Sequence, residues 1–165
     1  MSTAEDGDTA ILHASAVAVD GRGLLILGPS GAGKSALALQ LLALGATLVS
    51  DDRTVLRREG AGAGAVLIAA PAPNLDGLIE ARFIGLLRSP AAPAPVALVV
   101  DMAHPEGDRL PPERNCELLG VHVPLCRRVE GPHFGWALMT MLRHGRAEPA
   151  FDPEGPARRT SIPRE

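Results

Sequence analysis

Residues 23–44 constrain this chain more tightly than any other stretch. Gly23-Leu24-Leu25-Ile26-Leu27 is a continuous apolar run, the pattern of a strand buried on both faces. It leads directly into Gly28-Pro29-Ser30-Gly31-Ala32-Gly33-Lys34-Ser35, which fits G-x-x-x-x-G-K-[ST] at every fixed position. Lys34 to Leu44 follows, with Leu37, Leu41 and Leu44 at helical spacing and Gly45 placed to end the helix. Strand, glycine-rich loop and helix in that order make an anion cradle. The glycines let the backbone wrap a polyphosphate with successive N–H groups turned inward, and the helix N-terminus adds partial positive charge. Lys34 brings a mobile ammonium to the β- and γ-phosphates of a nucleotide, and the Ser35 hydroxyl is a ligand for Mg²⁺. ATP and Mg²⁺ are therefore the expected cofactors. No N-K-x-D segment of the kind that reads guanine occurs.

The rest of the chain supplies short elements around this core. Ile11 to Val19 alternates as a strand, and Asp20 to Gly23 reads as its turn. Ala46 to Ser50 is a second strand ending in Asp51-Asp52. Thr54–Arg58 and Ala65–Ala69 flank a glycine-rich turn and read as a hairpin. Ser89 to Pro95 reads as a Pro/Ala connector, Val96 to Val100 as a buried strand ending at Asp101, and Pro105 to Pro112 as loop. Phe134, Ala137, Leu138, Met141 and Leu142 line one face of a last helix, while Pro71 to Leu87 matches no single pattern. The expected fold class is α/β, a P-loop nucleotide-binding domain with a mixed β-sheet flanked by helices. Residues 1–9 and 146–165 read as flexible tails on one folded unit spanning 10–145.

Composition removes several rival functions. Only 2 % of residues are aromatic, with no Tyr, which disfavours binding by base stacking. Sixteen basic against 19 acidic residues leave a net charge of −3, with no surplus to neutralise nucleic-acid phosphates. No apolar run approaches the roughly 20 residues that span a bilayer. The polar, acidic start does not read as a secretory leader, and Cys116 and Cys126 have no metal-site spacing. A cytoplasmic chain with two incidental thiols is expected, binding neither nucleic acid nor membrane.

Phosphate chemistry needs a carboxylate near the loop, and two strand ends offer one. Asp101 has the longer apolar strand before it, as a Walker-B residue would. Asp51-Asp52 is an adjacent pair, so one side chain can face phosphate while the other holds the loop.

At this point the residues resemble a known family. His13-Ala14-Ser15-Ala16-Val17, the stretch from Gly23 to Asp52, Ala70-Pro71 and Leu78-Ile79-Glu80-Ala81-Arg82 resemble the catalytic domain of HPr kinase/phosphorylase in a short proteobacterial form. The likeness covers about residues 11–125 and is densest over 13–52. It implies a Mg·ATP-dependent kinase that phosphorylates a serine of an HPr-like phosphocarrier of the bacterial phosphotransferase system. By position it implies catalytic roles for Asp51 (proton acceptor from the serine), His13, Lys34 and Arg109, with Ser35, Asp52 and Glu80 at the metal. It implies a protein partner, and a homo-oligomer such as the hexamer of longer members. The chain departs from the family pattern at Phe83-Ile84-Gly85, where glycines follow the Arg in the family, and at Cys126 to Pro132. The second segment replaces one tied to the reverse reaction, so the likeness supports phosphorylation more strongly than phosphorolysis. An ATP-binding regulatory module without transfer, and a small-molecule P-loop kinase, are the alternative functions. The kinase of small molecules ranks last because no Arg-rich lid segment is present. Asp101 has no role in the family and reads as structural.

Overall fold

An apolar strand at the centre of a sheet must be covered on both faces, and the architecture follows from how this is done. The computed structural model describes residues 5–147. Its elements, in chain order, are β1 (Glu5–Asp6), β2 (Thr9–Leu12), β3 (Ala14–Val19), β4 (Arg22–Leu27), α1 (Lys34–Ala43), β5 (Thr47–Ser50), β6 (Thr54–Glu59), β7 (Val66–Pro71), β8 (Leu78–Ala81), β9 (Gly85–Arg88), β10 (Ala94–Pro105), β11 (Asn115–Leu118), β12 (Val121–Arg128) and α2 (Phe134–His144). One sheet has the order β12-β10-β4-β3-β5, and a second has β1-β2-β6-β7-β10. The long β10 belongs to both. Its first residues, Ala94 and Pro95, pair antiparallel with β7, and Val96 to Asp101 then run parallel to β4. β8 and β9 form a separate two-stranded hairpin.

Alternation along the central strands divides the core in two. Leu24 and Ile26 of β4, with Leu98 and Val100 of β10, pack against Leu37 and Leu41 of α1 and Phe134, Leu138 and Leu142 of α2. Leu25 and Val99, one residue out of phase, pack with Leu56, Leu67 and Ala69 from the second sheet. Each fully buried Leu is worth about 1.5–3 kcal/mol of transfer free energy. The helices therefore share one face and do not flank the sheet; the opposite face is covered by the second sheet. That is a correction to the expected layering, and the mixed α/β character stands.

Three boundaries also differ from expectation. The single strand expected over Ile11–Val19 is two, because β2 pairs with β6 while β3 pairs with β4 and β5, and the chain bends at His13 between the sheets. Ala94 and Pro95 open β10 instead of closing a connector. Residues 5–9 are not a tail, since Glu5 pairs with Ala10 and Asp6 with Thr9; residues 1–4 and 148–165 lie outside the described residues. Among the described residues, no helix is long and apolar enough to cross a membrane.

Candidate functional site

Strand direction collects the candidate residues at one edge. β4 and β10 are parallel, so the loop after Leu27 lies beside Asp101, its register partner. β3 runs antiparallel to both β4 and β5, with Ala14 opposite Leu27 and Ala16 opposite Ser50. The start of β3 and the ends of β4 and β5 therefore share an edge, and His13, the glycine-rich loop and Asp51-Asp52 meet there.

The loop has the backbone its glycines permit. Gly28, Gly31 and Gly33 have φ of 152°, 81° and 93°, a region L-side chains rarely adopt. A Cβ on Gly28 would lie 2.9 Å from the Met102 Cβ, so β10 itself leaves no room for one. Gly33 caps α1, and Leu37 N–H donates to its carbonyl at 3.0 Å. The helix N-terminus thus opens onto the loop with its first amide donors unpaired within the helix. Lys34 is 6 % exposed as a residue, and its ammonium donates to the carbonyls of Gly28 at 2.8 Å and Pro29 at 3.0 Å. Burial lowers its pKa from the ordinary lysine value, against the opposing pull of Asp52 and Asp51.

The two aspartates are placed differently. Asp51, 6 % exposed, accepts from Ser15 Oγ and Ser35 Oγ, each at 2.7 Å, on Oδ1, and from the Glu80 N–H at 3.0 Å on Oδ2. Ser15 shares the strand face of Val17 and Val19, which pack on the helix side, and this turns its hydroxyl towards the first turn of α1. Asp52 is exposed, takes a left-handed φ of 66°, and places Oδ1 2.7 Å from His13 Nε2. Asp tolerates that conformation better than most residues. The turn holding both is fastened to β3 by Ala14 N–H to Asp52 O at 3.1 Å and Thr54 Oγ1 to Ala14 O at 2.9 Å.

A cleft of about 380 Å³ opens over these groups. His13, Lys34, Ser35, Asp52, Glu80 and Arg82 line it together with Ser30, Gly31 and Gly33 of the loop. Of the candidate residues, Asp51 stands behind the wall, bonded to Ser35. Arg109 is exposed in the segment after β10 and does not line the cleft. Asp101 is occupied by its own turn, accepting from Ala103 N–H at 2.8 Å and pairing with His104 Nδ1 at 2.6 Å. Ser15 was missed as a site residue; its signal was a hydroxyl within the otherwise apolar run Ala14–Val19.

Among the described residues, no three His, Cys, Asp or Glu side chains converge as a metal site. Mg²⁺ does not require such a cage, because it keeps several waters and takes one or two carboxylates plus substrate phosphates. The hard oxygens of Ser35, Asp52 and Glu80 on one cleft fit that ion. A cation also offsets the repulsion that two wall carboxylates would exert on a polyphosphate.

The family model "HPr Serine kinase C-terminal domain" matches residues 7–91. The HPr kinase/phosphorylase of Chlorobium chlorochromatii is 34% identical over 126 residues, which cover 68% of this chain and 37% of that protein. The HPr kinase/phosphorylase of Bordetella pertussis is 42% identical over 80 residues, covering 48% and 25%. The solved structure of the Hpr(Ser) kinase/phosphatase from Coxiella burnetii superposes with a TM-score of 0.64 at 26% identity, covering 81% of this chain and 88% of that one. The matches span well under half the length of these two full-length relatives. The matched segment 7–91 runs from β2 through the glycine-rich loop, the aspartate pair and the β8–β9 hairpin, and by that match the chain belongs to the HPr serine kinase C-terminal domain family.

Proposed function

We propose that this chain is a Mg·ATP-dependent kinase that transfers a phosphoryl group to a serine of an HPr-like phosphocarrier. The observation that carries the reading is the meeting, at one sheet edge, of the Gly28–Ser35 loop with Asp51 bonded to Ser35 and Asp52 facing the cleft. The loop amides and Lys34 would hold the β- and γ-phosphates of ATP. Ser35 and Glu80 would hold Mg²⁺, which would supply charge neutralisation on the phosphates, and Asp52 is left free of the metal.

A serine hydroxyl is a weak nucleophile, and a carboxylate in reach takes its proton as attack proceeds. Asp52 is the better placed acceptor. It lines the cleft, whereas both oxygens of Asp51 already accept hydrogen bonds. We therefore move the proton-accepting role from Asp51, where position put it, to Asp52, and give Asp51 the task of fixing the Ser35 hydroxyl. His13, at 2.7 Å from Asp52, orients that carboxylate. As the serine oxygen bonds the phosphorus, the bond to the β-phosphate oxygen breaks and the hydroxyl proton passes to Asp52. Arg109 enters no step, since it does not line the cleft.

The test is incubation of the chain with Mg·ATP and an HPr-like carrier, followed by mass spectrometry of the carrier. Phosphate on one serine is expected. ATP binding with no phosphoserine would overturn the kinase reading in favour of a nucleotide-responsive regulatory module.

A further inference from the structure

Two costly features coincide at the tip of the β8–β9 hairpin. Phe83 is fully exposed, at 100 %, and holds a φ of 68°, a conformation that suits glycine and that a bulky side chain rarely adopts. Beside it Ile84 and Leu86 are 78 % and 65 % exposed, which extends the apolar surface down one strand. Phe83 buries nothing on folding, and Ile84 and Leu86 bury only a minor part of their side chains. Strand β8 is firmly seated, with Ile79 1 % and Ala81 5 % exposed, so the tip is held out on a fixed support.

That support is part of the site. The Glu80 N–H bonds Asp51, Glu80 pairs with Leu86 across the hairpin, and Arg82 and Ile84 line the cleft. The apolar strip therefore continues the cleft wall outward, where the bulk of a protein bearing the reacting serine must lie. Its size distinguishes occupants. Three exposed side chains, at roughly 150–250 Å² for the aromatic, fall short of the about 800 Å² per partner of a stable interface and suit a brief encounter. Charge adds a condition. Arg82 and Arg88 flank the strip and form no ion pair among the described residues.

We propose that Phe83, with Ile84 and Leu86, is the docking element for the phosphoacceptor protein, which presents its serine beside an apolar patch rimmed by carboxylates. This rests on the kinase reading above. The experiment is steady-state transfer to an HPr-like carrier by the unmodified chain and by the Phe83→Gly, Phe83→Glu and Phe83→Leu variants, with melting temperatures and sedimentation. Phe83→Gly is expected to raise the KM for the carrier by about ten-fold or more, Phe83→Glu further, and Phe83→Leu less. The kcat and the KM for ATP should be unchanged, and the melting temperature of Phe83→Gly should not fall, since glycine accepts the left-handed backbone. An unchanged carrier KM, or a fall in kcat instead, overturns the docking role while leaving the kinase reading intact. A change of oligomeric state without a change in carrier KM makes the strip a self-interface and also overturns it. No transfer by the unmodified chain overturns the kinase reading and this inference with it.

Discussion

Replacing the paired aspartates one at a time separates holding from reacting. Truncating Asp51 to Ala strands three donors: the Ser15 and Ser35 hydroxyls and the Glu80 N–H. Ser15 is fully buried, and its orphaned hydroxyl costs about 1–3 kcal/mol. Ser35 lines the cleft and Glu80 is exposed, so water replaces the lost partner and each costs about 0.5–1 kcal/mol. The total of about 2–5 kcal/mol is severe against the 5–15 kcal/mol of an ordinary domain, yet leaves it folded in the upper part of that range. Asp52→Asn should behave in the opposite way. Asn tolerates the left-handed backbone, and an exposed pair such as His13–Asp52 is worth about 0–1 kcal/mol. Loss of the proton acceptor should nevertheless lower phosphate transfer about 10²–10⁴-fold. Urea unfolding followed by circular dichroism, transfer to the carrier, and nucleotide titration measure the three quantities. Transfer within threefold of the unmodified rate in Asp52→Asn, with none in Asp51→Asn at unchanged stability, would return the base to Asp51. A stable Asp51→Ala variant would refute the hydrogen-bond argument itself.

Lys34→Met should lose nucleotide affinity without losing stability, since it removes a charge whose burial the fold opposes. In the unmodified chain the lowered pKa of Lys34 means the unfolded chain keeps that proton to higher pH. Its contribution to stability therefore rises with pH between the lowered value and 10.5, while nucleotide binding falls, and Lys34→Met should flatten both trends. Ser15→Ala in a double-mutant cycle with Asp51→Ala should show a coupling of about 1–2 kcal/mol in urea unfolding; additivity would mean the two do not interact. Gly23→Ala should destabilise by about 1–3 kcal/mol or more, because a Cβ there would lie 2.6 Å from the Pro95 carbonyl oxygen where β4 meets β10; unaltered unfolding would contradict that close approach.

Legibility in the sequence tracked whether a local pattern had one physical cause. The run 23–44 could be read because apolar continuity, glycine spacing and helical periodicity agree, and β4 and α1 stand where they predicted. The hairpin Leu78–Arg88 could not. Leu86 and Leu87 look like core residues, yet Leu86 is 65 % exposed, so hydrophobicity there reports something other than burial. The division between β2 and β3 was hidden because alternation carries on through His13 while the pairing partner changes, from the distant β6 for β2 to the adjacent β4 for β3.

The same distinction explains what could be known of the site. An adjacent Asp-Asp at a strand end already implied one carboxylate for the phosphate side and one for the loop, but not which was which. That choice depends on Ser15, which comes under the first turn of α1 only because β3 lies antiparallel between β4 and β5. Once two serine hydroxyls and a backbone amide converge on Asp51, the left-handed turn at Asp52 follows as the way to send the second carboxylate into the cleft. A parallel β3 would put its far end, near Val19, at this edge, and neither Ser15 nor His13 would reach the aspartates. The antiparallel insertion of one short strand is thus what converts a glycine-rich loop into a site with a held carboxylate and an open one.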